Sequence, residues 1–310
     1  MSGNTIPSAQ NSDSNLNYTA AASAFYGRGK VALGAQMSLT IGVVVVLSFV
    51  SVLWPSFKLA ATFISVTIAW VDVLFIDRIQ AHYRKLGAKA QESFDYALFG
   101  LPWNDLRVGE RLEPEVVHRS ASRFRLKSGD EKLRDWYPNS IADLPLPLAR
   151  LVCQRACFWW DTTLRRIYGW SLVGIVTLAL FGMTGFALYR SQSVGNLVLS
   201  VYAPFAPAVL WSIREARRQK EAADALEKGR SFVDKIWARA VNGELSEEEL
   251  ARWSRQIQDA LFDGRSRNPL IFNWVHFLLR SGNEQAMRHG AAMIVEDALG
   301  KQSLWRGRFS

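Results

Sequence analysis

Two cysteines and four histidines are all that 310 residues offer toward a metal centre or a disulfide framework. The histidines, His82, His118, His276 and His289, are scattered. Cys153 and Cys157 stand one helical turn apart with no histidine beside them, so they read as part of a buried apolar helix face. Catalytic signatures are missing too. There is no phosphate-binding glycine loop, no nucleophile elbow, no zinc-protease helix and no carboxylate pair whose spacing marks an acid and a base. An enzyme is not expected, and neither a metal nor a cofactor. Residues Met1 to Ser23 lack the basic region and apolar core of a cleavable signal peptide. They are rich in Ser, Asn, Thr and Ala, which predicts a disordered tail over residues 1–25.

What is present is segregated. Hydrophobic residues make up 49% of the chain and charged ones 21%, yet the mean hydropathy is zero. The apolar residues gather in four blocks with the charge between them, the signature of a membrane protein. The first block runs from Val31 to Trp54, and Pro55-Ser56 turns the chain into the second, Phe57 to Ile76. The third is Trp170 to Tyr189, and Arg190 to Ser193 turns it into the fourth, Leu197 to Ile213. Each block is long enough to cross a hydrocarbon core of about 30 Å as a helix. The expected fold is an all-α membrane protein with four transmembrane helices as two hairpins (26–79 and 170–213). A central helical region (80–169) and a C-terminal helical region (214–310) lie outside the membrane.

The short turns carry only Lys58 and Arg190, whereas the long polar regions are dense in Lys and Arg. The positive-inside rule then places the N-terminus, the central region and the C-terminus in the cytoplasm, for a multi-pass membrane protein. That rule also accounts for the formal charge of +9. No DNA or RNA polymer need be invoked as partner; membrane lipid is one, and anionic headgroups are natural counterions. In the C-terminal region Asn242-Gly243 ends a long helix, and Ser246 with Glu249 forms a capping box that opens the next, up to Asp263-Gly264. Leu270 to Leu279, interrupted by Asn273 and His276, reads as a short buried or interfacial helix, and Glu284 to Leu299 as the last.

Two groups of residues are candidates for function. Asp72 lies inside the second span and shares a helical face with Thr62 and Ser65, a pattern suited either to a pore or gate or to a hydrogen bond with a neighbouring helix. Pro204 and Pro207 in the fourth span remove backbone donors, and the kink they favour serves either as a gate or only as shape. The second group is the stretch from Leu133 to Trp170. Gln154, Arg155, Asp161 and Arg165 fall near one stripe of a helix, and Arg134, Asp135, Trp136 and Tyr137 precede them across a Pro-rich hinge. Guanidinium forks beside aromatic rings suit phosphates and bases. The competing reading is an interfacial collar in which Trp159, Trp160, Tyr168 and Trp170 form an aromatic belt.

Leu133-Arg134-Asp135-Trp136-Tyr137-Pro138, followed by Leu151-Val152-Cys153-Gln154-Arg155, Trp160-Asp161 and Leu164-Arg165-Arg166, resembles the SMODS-associating four-transmembrane effector family. Asn268-Pro269-Leu270-Ile271-Phe272-Asn273-Trp274, with Asn283-Glu284 and Ala286-Met287 beyond it, is similar to that family's tail. The likeness extends from Tyr26 to Leu299 and departs at Ala156, where the family favours Asn or Ser. It implies an effector of bacterial anti-phage signalling. A nucleotidyltransferase would supply a cyclic oligonucleotide as activating ligand. The effector, as a homo-oligomer, would then permeabilise the inner membrane and cause abortive infection. The alternative is a membrane scaffold without a pore, binding protein or anionic lipid through its basic helices.

Overall fold

The computed structural model describes residues 4–308; of these, the side chains of Asp161, Thr163, residues 273–284 and Arg308 lie outside the described set. No strand occurs among the described residues. Four long helices dominate, α1 (Asp13–Leu53) and α2 (Pro55–Phe99), then, after the short α3 (Pro114–Ser128), α4 (Leu146–Tyr189) and α5 (Val194–Val241). They continue into α6 (Glu247–Arg267) and α7 (Asn273–Gly300). The long helices have 41, 45, 44 and 48 residues. At 1.5 Å per residue each reaches roughly 60–70 Å, about twice what a bilayer core requires. Each is therefore part membrane span and part pillar of a polar domain.

The two hairpin turns meet at one end. Lys58 Nζ donates to Asn196 Oδ1 at 2.7 Å, and Gln192 Nε2 donates to the Val52 carbonyl at 3.2 Å. In the span itself Val44, Val52, Val176, Met183, Val201 and Phe205 pack into one apolar cluster that fills the bundle axis. Only 22–39% of each apolar window is buried within the protein. The remainder, including Phe63, Trp70, Leu178 and Phe181, is exposed on the outside of the bundle, as the apolar surface of a membrane-spanning bundle is. The protein is thus a membrane protein with four spans.

The pairing of α4 and α5 continues from the span deep into the polar domain, and two glycines permit it. A Cβ at Gly169 would lie 3.3 Å from Ala216 Cα, and one at Gly229 would overlap the Phe158 ring. Small residues at such crossings let helix backbones approach closely.

Three expectations are corrected. Residues 4–25 are not a loose tail: a turn at Ile6–Ala9 leads into α1, and Leu16, Ala20, Ala21 and Phe25 are buried against Ala90, Val117, Ala121 and Leu133. Alanine has the highest helix propensity, and the Leu16/Ala20 and Ala21/Phe25 pairs recur at helical spacing. Composition alone concealed that pattern. At the far end α6 runs past Asp263-Gly264 to Arg267. Asn268 stops it, because a residue before proline is driven out of the helical region. The two short helices expected beyond Leu270 are one, Asn273–Gly300; the Asn273 and His276 side chains lie outside the described residues.

The same N-terminal turn pins the segment from Arg134 to Asp143. Gln10 Oε1 accepts the Tyr137 N–H at 2.8 Å, and Asn4 Nδ2 donates to the Ile141 carbonyl at 2.7 Å. Asp135 has φ +50°, unusual for a residue with a Cβ. Asn11 holds it there, accepting the Asp135 N–H and donating to Oδ1, both at 3.0 Å. The amides of Asn11 and Asn139 keep the Asp135 carboxyl below its usual range.

The polar domain is organised around buried charge. Glu92 and Asp95 on α2 are fully buried. Gln258 on α6 donates to both through one amide nitrogen, at 2.8 Å each. Arg255 reaches Glu92, Arg265 reaches Asp95, and Tyr137 OH donates to Asp95 at 2.6 Å. Burial, with Asp95 alongside, pushes the Tyr137 phenol well above its ordinary value, so it stays a donor. For Arg265 burial opposes the charge, but Asp95, Cys157 and Tyr137 outweigh it and hold the guanidinium above its ordinary value.

Removing one partner of such a network strands the others. Asp95→Ala is expected to lower stability by about 3–5 kcal/mol, and Asp95→Asn by less, measured by thermal unfolding in detergent. Leu16→Ala is expected to cost about 2–5 kcal/mol in the same assay, whereas a disordered tail would register no change.

Candidate functional site

The spans meet the polar domain in a second buried network. Gln36 on α1 and Asp72 on α2 are 2% and 3% exposed, each inside an apolar block. Gln36 Nε2 donates to Asp72 Oδ1 at 2.5 Å and to Asp77 Oδ1 at 3.2 Å, while its Oε1 accepts from Gln80 Nε2 at 2.8 Å. Five residues apart on a regular helix, Asp72 and Asp77 would point well away from each other. Here α2 widens over Asp72–Ile76, and the Asp77 N–H bonds the Asp72 carbonyl. This i→i+5 turn brings both carboxylates to one amide. Arg214 on α5 closes the set, 3.7 Å from Asp72 Oδ2.

Beside it, α4 and α5 contribute a chain of polar groups. Arg165 Nη1 donates to Gln219 Oε1 at 2.9 Å and to the Pro269 carbonyl at 2.8 Å. Gln219 Nε2 passes the connection to Glu215 at 2.8 Å and to the Leu270 carbonyl at 3.1 Å. Arg218 lies 3.5 Å from Glu215, and Arg84 Nε donates to the Ser266 carbonyl at 2.9 Å. The turn between α6 and α7 is therefore fastened to three of the long helices. Between these groups opens a cavity of about 250 Å³, with Arg78, Arg84 and Arg218 on its wall together with Asp77, Gln80 and Glu215.

Of the residues proposed from sequence, Asp72 and Arg165 belong to this junction, one from the pore group and one from the ligand group. The others do not converge on one site. Tyr137 and Gln154, expected to meet a ligand, are core groups. The Tyr137 ring stacks on Phe94 at 6.0 Å, and Gln154 Nε2 donates to the Ser254 carbonyl at 2.8 Å and to Gln258 at 3.2 Å. Their polarity serves the internal network, which no spacing in the chain reveals. Arg155 pairs with Asp234 on α5. Arg134 is exposed, Trp136 is 40% exposed, and Asp135 is tied to Asn11. Asp161 lies outside the described residues. The aromatic collar is likewise only partial: Trp170 is 72% exposed, but Tyr168 is fully buried, against Leu164, Leu172 and Ile271.

In the span, Ser65 is fully buried, whereas Thr62 Oγ1 returns its hydrogen bond to the Lys58 carbonyl at 3.0 Å. The Ser65 hydroxyl has no hydrogen-bond partner among the described residues, and the same holds for buried Thr40 and Ser48. Pro204 is buried and Pro207 half-buried, just after a widened turn at Val198–Tyr202. Sequence reasoning missed Gln36, Gln80, Glu215 and Gln219. Gln36 was findable, as a long amide five residues into an apolar block. The rest required knowing which helices meet.

Over residues 4–294 the chain matches the family described as the SMODS-associating 4TM effector domain. A protein of Bacillus cereus (strain VD146), described as a probable CBASS effector molecule, is 27% identical over 289 residues, which cover 90% of this chain and 94% of that protein. No solved structure matches. With four spans, a buried polar junction beneath them and a match across nearly its whole length, the chain belongs to the SMODS-associating 4TM effector family.

Proposed function

We propose that the protein is the membrane-permeabilising effector of a cyclic-oligonucleotide anti-phage system, switched by a ligand bound in its polar domain. Family membership supports an anti-phage effector role. The observation that supports the switching mechanism is the junction. Arg165 on α4 and Asp72 on α2 belong to adjoining networks, and α4 itself runs unbroken from the polar domain into the span. A displacement of α4 or of the Ser266–Leu270 turn would disturb Gln219, Glu215 and then the packing around Asp72. In this reading the structure is the resting state, because the bundle axis is filled by the Val44–Phe205 cluster. In this reading it opens as an oligomer, because four spans per chain are too few to line a wide pore. The distribution of basic residues supports a polar domain and termini on the cytoplasmic face of the inner membrane.

Energetics set a demand on the ligand. Moving a two-state equilibrium from 1:99 to 99:1 takes about 5.5 kcal/mol of differential affinity. A messenger that bound both states equally would shift nothing. The resting state is held at the junction by hydrogen bonds to charged groups, each contributing roughly 1.5–3 kcal/mol. Losing two or three of them amounts to roughly 3–9 kcal/mol, the same order as that demand.

Liposomes loaded with a self-quenching dye test the reading. With wild-type protein, leakage is expected only with one member of a panel of cyclic oligonucleotides; silence with every member would leave the scaffold without a pore. Asp72→Asn keeps the acceptor for Gln36 but removes the charge facing Arg214, so leakage without messenger is expected to rise several-fold. Wild-type background leakage in that variant would reduce Asp72 to a packing role. Cysteines placed at Ser56 and Ser193 are expected to be labelled only from the periplasmic side, and labelling of either from the cytoplasm would reverse the orientation.

A further inference from the structure

The junction cavity has a neighbour. On the lipid-facing side of α1 and α2, Leu39, Phe63, Ile64, Thr67, Ile68 and Val71 enclose a groove of about 300 Å³ with an entirely apolar lining except for the Thr67 hydroxyl. That hydroxyl is satisfied by the Phe63 carbonyl at 2.9 Å. Leu39 follows Gln36 by three residues, so the groove and the cavity share one stripe of α1. On α2, Val71 at the groove's edge precedes Asp77 at the cavity's edge by six residues, a rise of about 9 Å. A polar cavity at the end of the span and an apolar slot within it thus both have walls from α1 and α2, and α5 completes the polar one.

We propose that this pair of cavities holds one anionic phospholipid, its phosphate beside Arg78 and Arg218 and an acyl chain in the slot of Leu39, Ile64 and Ile68. The charge is right for it. Three guanidiniums face two carboxylates on the cavity wall, and both carboxylates are already engaged, Asp77 by Gln36 and Glu215 by Gln219 and Arg218. Arg78 is exposed and makes no ion pair among the described residues. Arginine suits phosphate because its fork presents parallel donors. The surplus of positive charge disfavours a zwitterionic headgroup, whose cation would be brought against Arg78. The volume is sufficient: about 250 Å³ corresponds to roughly eight waters at about 30 Å³ each, ample for a phosphoglycerol group. Since α5 supplies Arg218 and α2 supplies Arg78, a bound headgroup would bridge the first hairpin to the second at the level of Asp72. This inference does not depend on any cyclic oligonucleotide.

Native mass spectrometry of the full-length protein, released from micelles containing equal phosphatidylglycerol and phosphatidylcholine, tests it without messenger. The wild type is expected to retain phosphatidylglycerol at least ten-fold over phosphatidylcholine, and equal retention overturns the proposal whatever any variant does. Arg78→Gln with Arg218→Gln is expected to lower phosphatidylglycerol retention at least ten-fold, and Arg78→Lys with Arg218→Lys to restore most of it. Ile64→Trp, which fills the slot, is expected to lower retention with both arginines in place. Unchanged retention in the double glutamine variant overturns the headgroup site. Displacement of the lipid by cyclic di-AMP, combined with indifference to Ile64→Trp, would mean that the cavity takes a soluble phosphodiester and the lipid proposal falls.

Discussion

A carboxylate placed inside an apolar helix must be solvated by something, and at Asp72 that task falls to a side-chain amide from another span. The Gln36 amide, held at its other end by Gln80, donates to Asp72 and Asp77 together, and Arg214 stands opposite. In hydrocarbon an ionised group without such partners costs several kcal/mol. The contact therefore fixes how α1, α2 and α5 stand relative to one another at the polar end of the bundle. It also explains the local departure of α2 from regular geometry, since only a widened turn brings residues 72 and 77 to the same donor. Much of the junction's arrangement follows from satisfying that one group.

The same logic recurs one layer deeper, where Glu92 and Asp95 are buried on the continuation of α2 and Gln258 again serves two carboxylates through one nitrogen. Buried charge of this kind contributes little net stability but penalises every alternative arrangement that would leave it unpaired. The two networks sit at different heights on α2 and engage different partners, α6 in one case and α1 with α5 in the other. Residues 266–270 lie between them. Arg84 on α2 binds the Ser266 carbonyl, and Arg165 on α4 binds that of Pro269. Gln219 on α5 binds the Leu270 carbonyl, and a turn tied to three long helices through its backbone can report motion of any of them without a side-chain identity of its own.

Much of this architecture was legible before any coordinates, because lipid imposes strong rules on sequence. Blocks such as Gly42–Val50 can only be helical in a bilayer, and the pairing of short turns with basic loops follows from composition. The capping box at Ser246 and Glu249 was equally readable, being a local device whose two partners lie three residues apart. What could not be read was long-range. Residues 4–25 lack large apolar side chains apart from Ile6, Leu16, Tyr18 and Phe25, and their packing depends on α3 and the Leu133 turn being there to receive them. The stretch from Arg134 to Arg165 looked like one recognition surface because its residues are close in sequence. In space they divide among the α2–α6 network, an ion pair with α5 and the junction. Aromatic and guanidinium groups suit phosphates and bases, but they suit carboxylates and neighbouring helices just as well, and sequence order does not distinguish these uses.

That redistribution changes what the stretch from Leu133 to Trp170 is for. Its start is held by the N-terminal turn through Gln10 and Asn11, its middle by α6 through Gln154, and its end by α5 and Pro269 through Arg165. The segment touches the N-terminal residues, the buried core and the junction in turn, and its helix then enters the span without a break. Under the proposed function it acts as a lever more than as a pocket, with Gly169 a point of close backbone approach to α5 just before the membrane. A lever fixed by hydrogen bonds at three heights moves only when those bonds exchange partners. Under that proposal a ligand need not touch the span to open it, since binding that competes for Asn11, Gln258 or the Pro269 carbonyl would release the lever. The hydroxyls of Thr40, Ser48 and Ser65, without a partner among the described residues, would under the same proposal gain hydrogen bonds if water entered the span. In the closed state they are a cost, and that cost narrows the gap the ligand must overcome.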